Sequence, residues 1–368
     1  MRKLTLLDQP SDVKRIDQGN MIGLCERMPD FCKDALKRAE EVQIHHRQPR
    51  NFVVAGMGGS AIGGELLKDW LYDRVSIPIE VCRDYTLPAY VDEKSLVVAI
   101  SYSGETEETL NAFLQAVKRR CMVVSVSSGG HLQAFSKKLG TPHIPIPEGF
   151  HPRAAIAYLF FPLVKIAEKV GVSKEKSEVE EALKVLQEIS KENAFESPLE
   201  NNKAKKLATE VESTIPVFYG FRQYSAVARR LKCQFNENSK VPSKFDVLPE
   251  LNHNEVVGWE APNSLTKAFS AIFIRDSAEP PEIRQRIEIT KQIVSPKVSK
   301  TLEIQAKGKQ KLARMLSTMY VGDFASLYLA LLRGVDPAPT ETIAFLKQEM
   351  KKKLDITTRL EEEVKKIR

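Results

Sequence analysis

The chain has 368 residues, of which 42% are hydrophobic and 28% charged, and this size predicts two domains or two halves of one large unit. The sequence contains no run of about 18 apolar residues, so no membrane span is predicted, and its N-terminus lacks a signal-peptide pattern. The net charge is +7, but the basic residues alternate with acidic ones, and this pattern does not favour nucleic-acid binding. Five scattered cysteines without a C-x-x-C pair indicate a reducing cytoplasm and argue against a zinc site.

After a helical segment predicted for residues 1–50, strands and helices alternate in two series. Such alternation is typical of parallel sheets with helices on both faces, so we predict an α/β fold with lobes at 51–171 and 206–347. The predicted strands are residues 52–55, 79–82, 96–100, 122–126 and 143–146 in the first lobe, and 215–219, 268–274 and 300–305 in the second.

The predicted helices complete this plan. An amphipathic helix at 154–171 closes the first lobe, and the Lys/Glu-rich segment 172–205 is predicted to connect the lobes as a surface helix. The charged tail 348–368 is predicted to form a solvated helix. The remaining helices of the second lobe lie near 222–235, 280–294 and 310–333. A weak repeat between VVAGMGGSAIGGELL and VFYGFRQYSAVARRL suggests two related lobes facing a shared cleft.

The turn between strand 96–100 and the next helix carries Ser101, Ser103, Gly104 and Thr106. Its hydroxyl groups, free backbone N–H groups and the positive end of a helix dipole together suit a phosphate dianion. The alternative is an ordinary helix N-cap, for which Ser and Thr are preferred. One cap accounts for one hydroxyl and not for three, so we favour a phosphate site.

A glycine-rich turn, GMGGSAIGGE, follows strand 52–55. Its first six residues fit the dinucleotide fingerprint in its Ala form, with Asp84 after the next strand, so an NAD-dependent dehydrogenase is a competing hypothesis. Gly63 and Gly64 fall in the first helical turns, where glycine is unfavourable, which indicates close approach of a ligand or of another backbone. Two phosphate-type loops on neighbouring strands fit a compact phosphorylated ligand at the carboxyl edge of the sheet better than a dinucleotide.

These loops resemble the sugar-isomerase (SIS) fold. Together with HPRAA at 151–155, NEN at 236–238 and ELNHNE at 250–255, they make residues 50–347 similar to the bifunctional phosphoglucose/phosphomannose isomerases of archaea and some bacteria. The resemblance implies two SIS-type lobes and a homodimer. It also implies a cytoplasmic isomerase without metal or cofactor, which interconverts glucose 6-phosphate and mannose 6-phosphate with fructose 6-phosphate through an enediolate. The second alternative is a non-catalytic SIS module that binds a sugar phosphate as a regulator.

The same resemblance assigns roles to residues that would, taken singly, be ordinary surface groups. Glu237 is the proton-transfer base, His253 opens the sugar ring from the partner subunit, and Arg153 stabilises the enediolate. Glu250 and Glu255 are supporting residues. Lys347 would share in ring opening, and Thr340, or alternatively Thr342, would leave room for both C2 epimers. The phosphate would be bound by Gly59, Ser60, Ser101, Ser103 and Thr106.

The histidine pattern argues against a metal site. Of the six histidines, only His45 and His46 are close in sequence, and they lie in a basic stretch. Zinc-dependent mannose-6-phosphate isomerases need clustered His and Glu ligands, so the sequence predicts a metal-independent enzyme.

Overall fold

The computed structural model describes residues 7–46 and 48–367, and the chain divides there into two compact units. The first-sheet unit comprises residues 30–175 and 340–367, and the second-sheet unit comprises residues 7–29 and 176–339. Each unit contains one parallel sheet with helices around it, which confirms the predicted fold class. The lobe boundaries drawn from the sequence stay predictions.

The elements are numbered in chain order over the described residues. The strands are β1 Asn51–Ala55, β2 Ile79–Cys82, β3 Ser95–Ile100, β4 Met122–Ser127, β5 His143–Pro145, β6 Ile215–Phe221, β7 Lys244–Leu248, β8 Phe269–Arg275 and β9 Lys300–Gln305. The α-helices are α1 Pro10–Ile16, α2 Met21–Glu26, α3 Met28–Glu41, α4 Gly58–Leu71, α5 Glu107–Lys118, α6 Gly130–Leu139, α7 Ile156–Lys169, α8 Lys176–Asn193, α9 Lys203–Val211, α10 Ser225–Ser239, α11 Asn263–Thr266, α12 Pro281–Val294, α13 Lys311–Leu332, α14 Glu341–Lys353 and α15 Ile356–Lys366.

The two sheets share one topology. Their strand orders are β2-β1-β3-β4-β5 and β7-β6-β8-β9, with all neighbours parallel. In each sheet the first strand along the chain is internal, with the second strand on one side and the third on the other. The strands that follow the first one are therefore added on opposite sides of it, so the strand order reverses there. Such a switch point opens a crevice at the carboxyl edge of the sheet. The shared order agrees with the weak sequence repeat.

Strand prediction failed at one position. β7 has the sequence KFDVL, and only Leu248 in it is buried. It is an edge strand, so it lacks the continuous apolar run that marks β1 and β3, which are buried along their whole length. A strand that is half exposed and only five residues long leaves a weak pattern in the sequence.

The segment 172–205 contains a helix, Lys176–Asn193, of which one face is buried. Val179, Ala182 and Leu186 of α8 are buried, and this helix packs against α13 within the second-sheet unit.

Within the described part of the chain, α13 is the helix long and apolar enough to cross a membrane. Its residues are buried among other elements of the second-sheet unit, as in the core helix of a globular protein.

The charged tail also differs from its prediction. In α15, Leu360 and Val364 are buried in the apolar cluster that contains Leu110 and Phe113 of α5. These two tail residues are four positions apart, so they share one face of the helix. The tail is therefore a packed helix with one solvated face. The preceding helix, α14, contains no buried residue.

Candidate active site

The turn after β3 is organised around the buried hydroxyl of Ser101. Its Oγ accepts a hydrogen bond from the backbone N–H of Gly104 at 3.1 Å and shares one with Oγ1 of Thr106 at 2.8 Å. The Thr106 side chain precedes α5 but makes no capping hydrogen bond to it. The N-cap alternative therefore lacks its hydrogen bond, and the first-turn N–H groups of α5, which have no partners inside the helix, remain available to an anion. Ser103 is exposed, and its Oγ accepts from the N–H of Glu105 at 3.2 Å.

The glycine-rich turn after β1 lies beside it at the switch point of the sheet. A Cβ atom at Gly56 would lie 2.9 Å from the carbonyl oxygen of Ile100, so the two turns approach closely. Helix α4 begins at Gly58, whose φ of +51° favours glycine, and Ser60 is buried in its first turn. Two helix N-termini thus start at the carboxyl ends of adjacent strands, each with at least one serine.

Gly63 and Gly64 contact protein. A Cβ at Gly63 would overlap the carbonyl oxygen of Leu159 in α7, and one at Gly64 would lie 2.8 Å from Cβ of Val54. Of the two explanations weighed from the sequence, close approach of another backbone holds at Gly63, whereas Gly64 lies against the side chain of Val54. These glycines let α4 pack closely on α7 and on β1.

The segment that carries Arg153 lies against the start of α4, in the same unit as the two turns. Its side chain is buried, and a Cβ at Gly59 would lie 3.0 Å from the carbonyl oxygen of Pro152. Tyr102 ties this segment to the phosphate-type turn, since its hydroxyl donates to the carbonyl oxygen of Pro147 at 3.0 Å and accepts from the N–H of Phe150 at 2.6 Å. Sequence reasoning missed Tyr102, whose only signal is its position next to Ser101.

Glu237 lies within the last turn of α10, which continues past the predicted helix end at residue 235. The polar run at 236–239 reads as a loop, but two of its members bind α13. The Asn238 amide donates to Oγ of Ser326 at 2.9 Å, and the Ser239 hydroxyl donates to the carbonyl oxygen of Ser326 at 2.6 Å. Tertiary contacts therefore continue the helix through Glu237.

A buried ion pair fixes α10 to α13 farther from the helix end. The guanidinium of Arg230 donates to both carboxylate oxygens of Asp323, with its shortest bonds at 2.8 and 3.0 Å, and the Gln234 amide also donates to this carboxylate at 3.1 Å. Burial raises the pKa of Asp323, while the charge of Arg230 acts in the opposite direction. These contacts make α10 a rigid mount for Glu237.

His253 is exposed at the end of a 3₁₀ turn, Glu250–His253, that follows β7. The turn is fastened to α12 through Asn252, whose amide donates to Oγ1 of Thr290 at 2.8 Å. The imidazole is thus presented to solvent from a fixed backbone.

The two residues expected to support this region do make structural bonds. Glu250 accepts a hydrogen bond from the Asn254 amide at 2.8 Å, and Glu255 accepts one from the Tyr219 hydroxyl at 2.7 Å. Burial raises the pKa of Glu255, against the hydrogen bonds from Tyr219 and Trp259. Both carboxylates are therefore engaged in holding the loop around His253.

Glu237 and His253 lie at opposite edges of the second sheet. Helix α10 connects two parallel neighbours, β6 and β7, so it runs antiparallel to them and ends at their amino edge. The turn that carries His253 follows the carboxyl end of β7. The five residues of β7 separate the two edges by roughly 13 Å. The fold therefore does not bring these two residues of one chain together.

The remaining predicted residues lie on or next to α14. Lys347 and Thr342 are exposed on this helix, and Thr340 precedes it without a capping hydrogen bond from its side chain. Over residues 7–46 and 48–367, no three His, Cys, Asp or Glu side chains are grouped as a metal site requires.

Comparisons with known proteins decide the family. A family model described as the bacterial phospho-glucose isomerase C-terminal SIS domain matches residues 200–350. The bifunctional phosphoglucose/phosphomannose isomerase of Caldicellulosiruptor bescii is 42% identical over 300 residues, which cover 81% of this chain and 88% of that protein. The chain belongs to the bifunctional phosphoglucose/phosphomannose isomerase family.

One further relative agrees with this membership, and one solved structure agrees with the fold. The enzyme of the same name from Aquifex aeolicus is 38% identical over 306 residues, covering 82% of this chain and 91% of that one. A glucose-6-phosphate isomerase like protein from Thermus thermophilus has a similar fold, with a TM-score of 0.60, 20% identity and coverage of 90% and 94% of the two chains. The SIS-type resemblance is thereby confirmed, and it favours a sugar-phosphate isomerase over the regulator and the dehydrogenase.

Proposed function

We propose that this protein interconverts glucose 6-phosphate and mannose 6-phosphate with fructose 6-phosphate. The observation that carries the proposal is the pair of helix N-termini, α4 and α5, that begin at the switch point of the first sheet in a member of this isomerase family. Gly59, Ser60, Ser101, Ser103 and Thr106 bind the phosphate of the substrate. That phosphate is remote from the reacting carbons, so its binding energy is available to the transition state.

The chemistry requires one base and one source of positive charge. Glu237 removes the proton from C2 of the open-chain aldose, and the C–H electrons form the C1–C2 double bond while the C1 carbonyl electrons move onto O1. A proton then passes from O2 to O1, and the protonated Glu237 returns its proton to C1 as the C2 carbonyl forms, which gives the ketose. Arg153 stabilises the enediolate as its charge develops. Glucose 6-phosphate and mannose 6-phosphate differ only at C2, so both give the same enediolate, and Thr340 or Thr342 leaves room for either epimer.

Ring opening is the part of the reaction that implies a homodimer. His253, with Lys347, moves the protons that convert the cyclic sugar into its open chain. Since the fold holds His253 and Glu237 of one chain at opposite edges of a sheet, we propose that each site takes its His253 from the partner subunit. The cytoplasm stays the predicted location.

A coupled assay tests the proposal. The purified protein is given fructose 6-phosphate in the presence of a chelator, and formation of glucose 6-phosphate and mannose 6-phosphate is followed with separate coupling enzymes. Both products are expected. Binding of fructose 6-phosphate without either product would favour the regulator, and absorbance changes on titration with a nicotinamide dinucleotide would favour the dehydrogenase.

A further inference from the structure

The C-terminal helix α15 is connected to the phosphate-type turn through one histidine. Nδ1 of His131 lies 2.5 Å from a carboxylate oxygen of Glu105, and Nε2 lies 2.6 Å from a carboxylate oxygen of Glu361. Glu105 stands in the turn after β3, directly before Thr106, and Glu361 lies on α15. All three residues belong to the first-sheet unit.

The geometry of these contacts defines the protonation state that they require. A carboxylate can only accept hydrogen bonds, so both ring nitrogens of His131 must donate, and an imidazole with two N–H groups carries a positive charge. Partial burial lowers the pKa of His131, but its hydrogen bonds to Glu105 and Glu361 outweigh this effect and raise the pKa above its ordinary value. The bridge is therefore two charge-assisted hydrogen bonds that meet on one cation.

Glu105 also binds the backbone, which makes it part of the turn's framework. Its second carboxylate oxygen accepts from the N–H of His131 at 3.0 Å, in the first turn of α6, where a negative charge is favourable. The carbonyl oxygen of Gly104 accepts from the N–H of Leu132 at 3.0 Å, and a Cβ at Gly104 would overlap the carbonyl oxygen of Gly129. The phosphate-type turn is thus held at the start of α6.

Helix α15 lies close to His131 because it packs on α5, the helix that follows the phosphate-type turn. Leu360 and Val364 are buried in the cluster around α5, which includes Phe135 of α6. The ammonium of Lys118 at the end of α5 pairs with Glu363 at 2.6 Å. One face of α15 therefore covers α5, and the same helix places Glu361 against His131.

We propose that Glu105, His131 and Glu361 form a latch through which the C-terminal helix holds the phosphate-binding turn in its binding conformation. The three are positioning residues, since none of them touches the substrate in this scheme. The inference rests on the proposed function for the identity of the ligand, a sugar phosphate, and for its kinetic readout.

The latch predicts a dependence on pH with a definite sign. The ionisable groups that face the imidazole are Glu105 from the turn and Glu361 from α15, and the ring of Phe135 packs beside it. When pH rises above the pKa of His131, one ring nitrogen loses its proton and one carboxylate then faces a lone pair. The turn loosens, so the KM for fructose 6-phosphate should rise with pH more steeply than in a variant that keeps its charge.

Kinetics of five proteins test the latch: the wild type and the variants Glu361→Gln, Glu362→Gln, His131→Gln and His131→Arg. Glu362 is the matched control, a glutamate that follows Glu361 on the same helix and is exposed. We expect Glu361→Gln and His131→Gln to raise the KM about two- to fivefold with kcat nearly unchanged, as for partly exposed charged pairs. Glu362→Gln should leave the KM unchanged, and His131→Arg should keep a low KM that varies less with pH.

Two further measurements separate this inference from the proposed function. Isothermal titration with inorganic phosphate reports on the turn without catalysis, and an NMR pH titration of the His131 ring protons reports on the bridge itself. His131 should titrate above about 6.5 in the wild type and in Glu362→Gln, and lower in Glu361→Gln. A wild type without isomerase activity overturns the proposed function only. Equal phosphate affinity and equal His131 titration in the wild type and Glu361→Gln, or equal effects of Glu361→Gln and Glu362→Gln, overturn the latch.

Discussion

At the scale of single residues, the polar side chains of the phosphate-type turn divide into two kinds. Ser101 is buried and organises the backbone, whereas Ser103 is exposed and Thr106 makes no cap to the helix that it precedes. The hydroxyl groups of Thr106 and Ser103 each make one hydrogen bond within the turn, and a hydroxyl has capacity for a further bond to a ligand. This division separates substitutions that should disturb folding from those that should disturb binding.

Thr106→Val should raise the KM for fructose 6-phosphate about tenfold or more, because a hydrogen bond to a charged group is worth about 1.5–3 kcal/mol. The thermal midpoint should change little, since no capping bond is lost and the Ser101 hydroxyl, although it loses its bond to Thr106, keeps the bond from the Gly104 N–H. Steady-state kinetics and thermal unfolding on the same preparations measure both. Thr106→Ser is the matched control and should retain the low KM. A drop of about 1 kcal/mol in stability with an unchanged KM would make Thr106 a cap and no ligand.

Glu237→Gln should lower kcat by about 10²-fold or more while the protein still binds fructose 6-phosphate, because an amide of nearly the same size cannot accept the C2 proton. Turnover is measured with the coupled assay and binding by titration calorimetry. Near wild-type turnover in this variant would remove Glu237 from the mechanism.

At the scale of elements, close packing explains features that resemble a ligand site in the sequence. Gly63 and Gly64 look like parts of a glycine-rich binding loop, but they are the surface on which α4 meets α7 and β1. The helix that carries Glu237, α10, is likewise held by an interaction between helices, the buried ion pair of Arg230 in α10 with Asp323 in α13. Both interactions position helices that carry residues of the proposed site.

Gly63→Ala should destabilise the protein by roughly 1–3 kcal/mol, since its Cβ would overlap a backbone carbonyl oxygen that can move only with α7. The free energy of unfolding in urea measures the effect. Gly258→Ala is the control, because a Cβ there has no heavy atom within 4 Å. Equal stability of the two variants would show that α4 and α7 are not in close contact.

At the scale of the whole molecule, the separation of Glu237 and His253 is the basis for the proposed dimer. If both groups are needed together and one chain holds them at opposite edges of a sheet, the second group must come from a partner. The proposed dimer then has two equivalent sites, each built from both subunits.

Mixing two inactive variants tests this arrangement. Glu237→Gln and His253→Ala homodimers should each be nearly inactive. In a mixed dimer one site has both groups intact and the other has neither, so activity should return to about half of the wild-type value per heterodimer. Native mass spectrometry verifies that heterodimers form under exchange conditions. If verified heterodimers are as inactive as their parents, His253 serves its own chain or takes no part in catalysis.

The sequence by itself determined the strands with continuous apolar runs, the parallel α/β class and the turn with three hydroxyls, because each rests on a pattern within a few residues. Tertiary structure decided what depends on distant partners. β7 forms by pairing with β6, Glu237 is helical because α13 binds its neighbours, and α15 is packed because α5 offers it an apolar face. The latch of His131 joins residues 26 and 230 positions apart in the chain, a separation that no local pattern records.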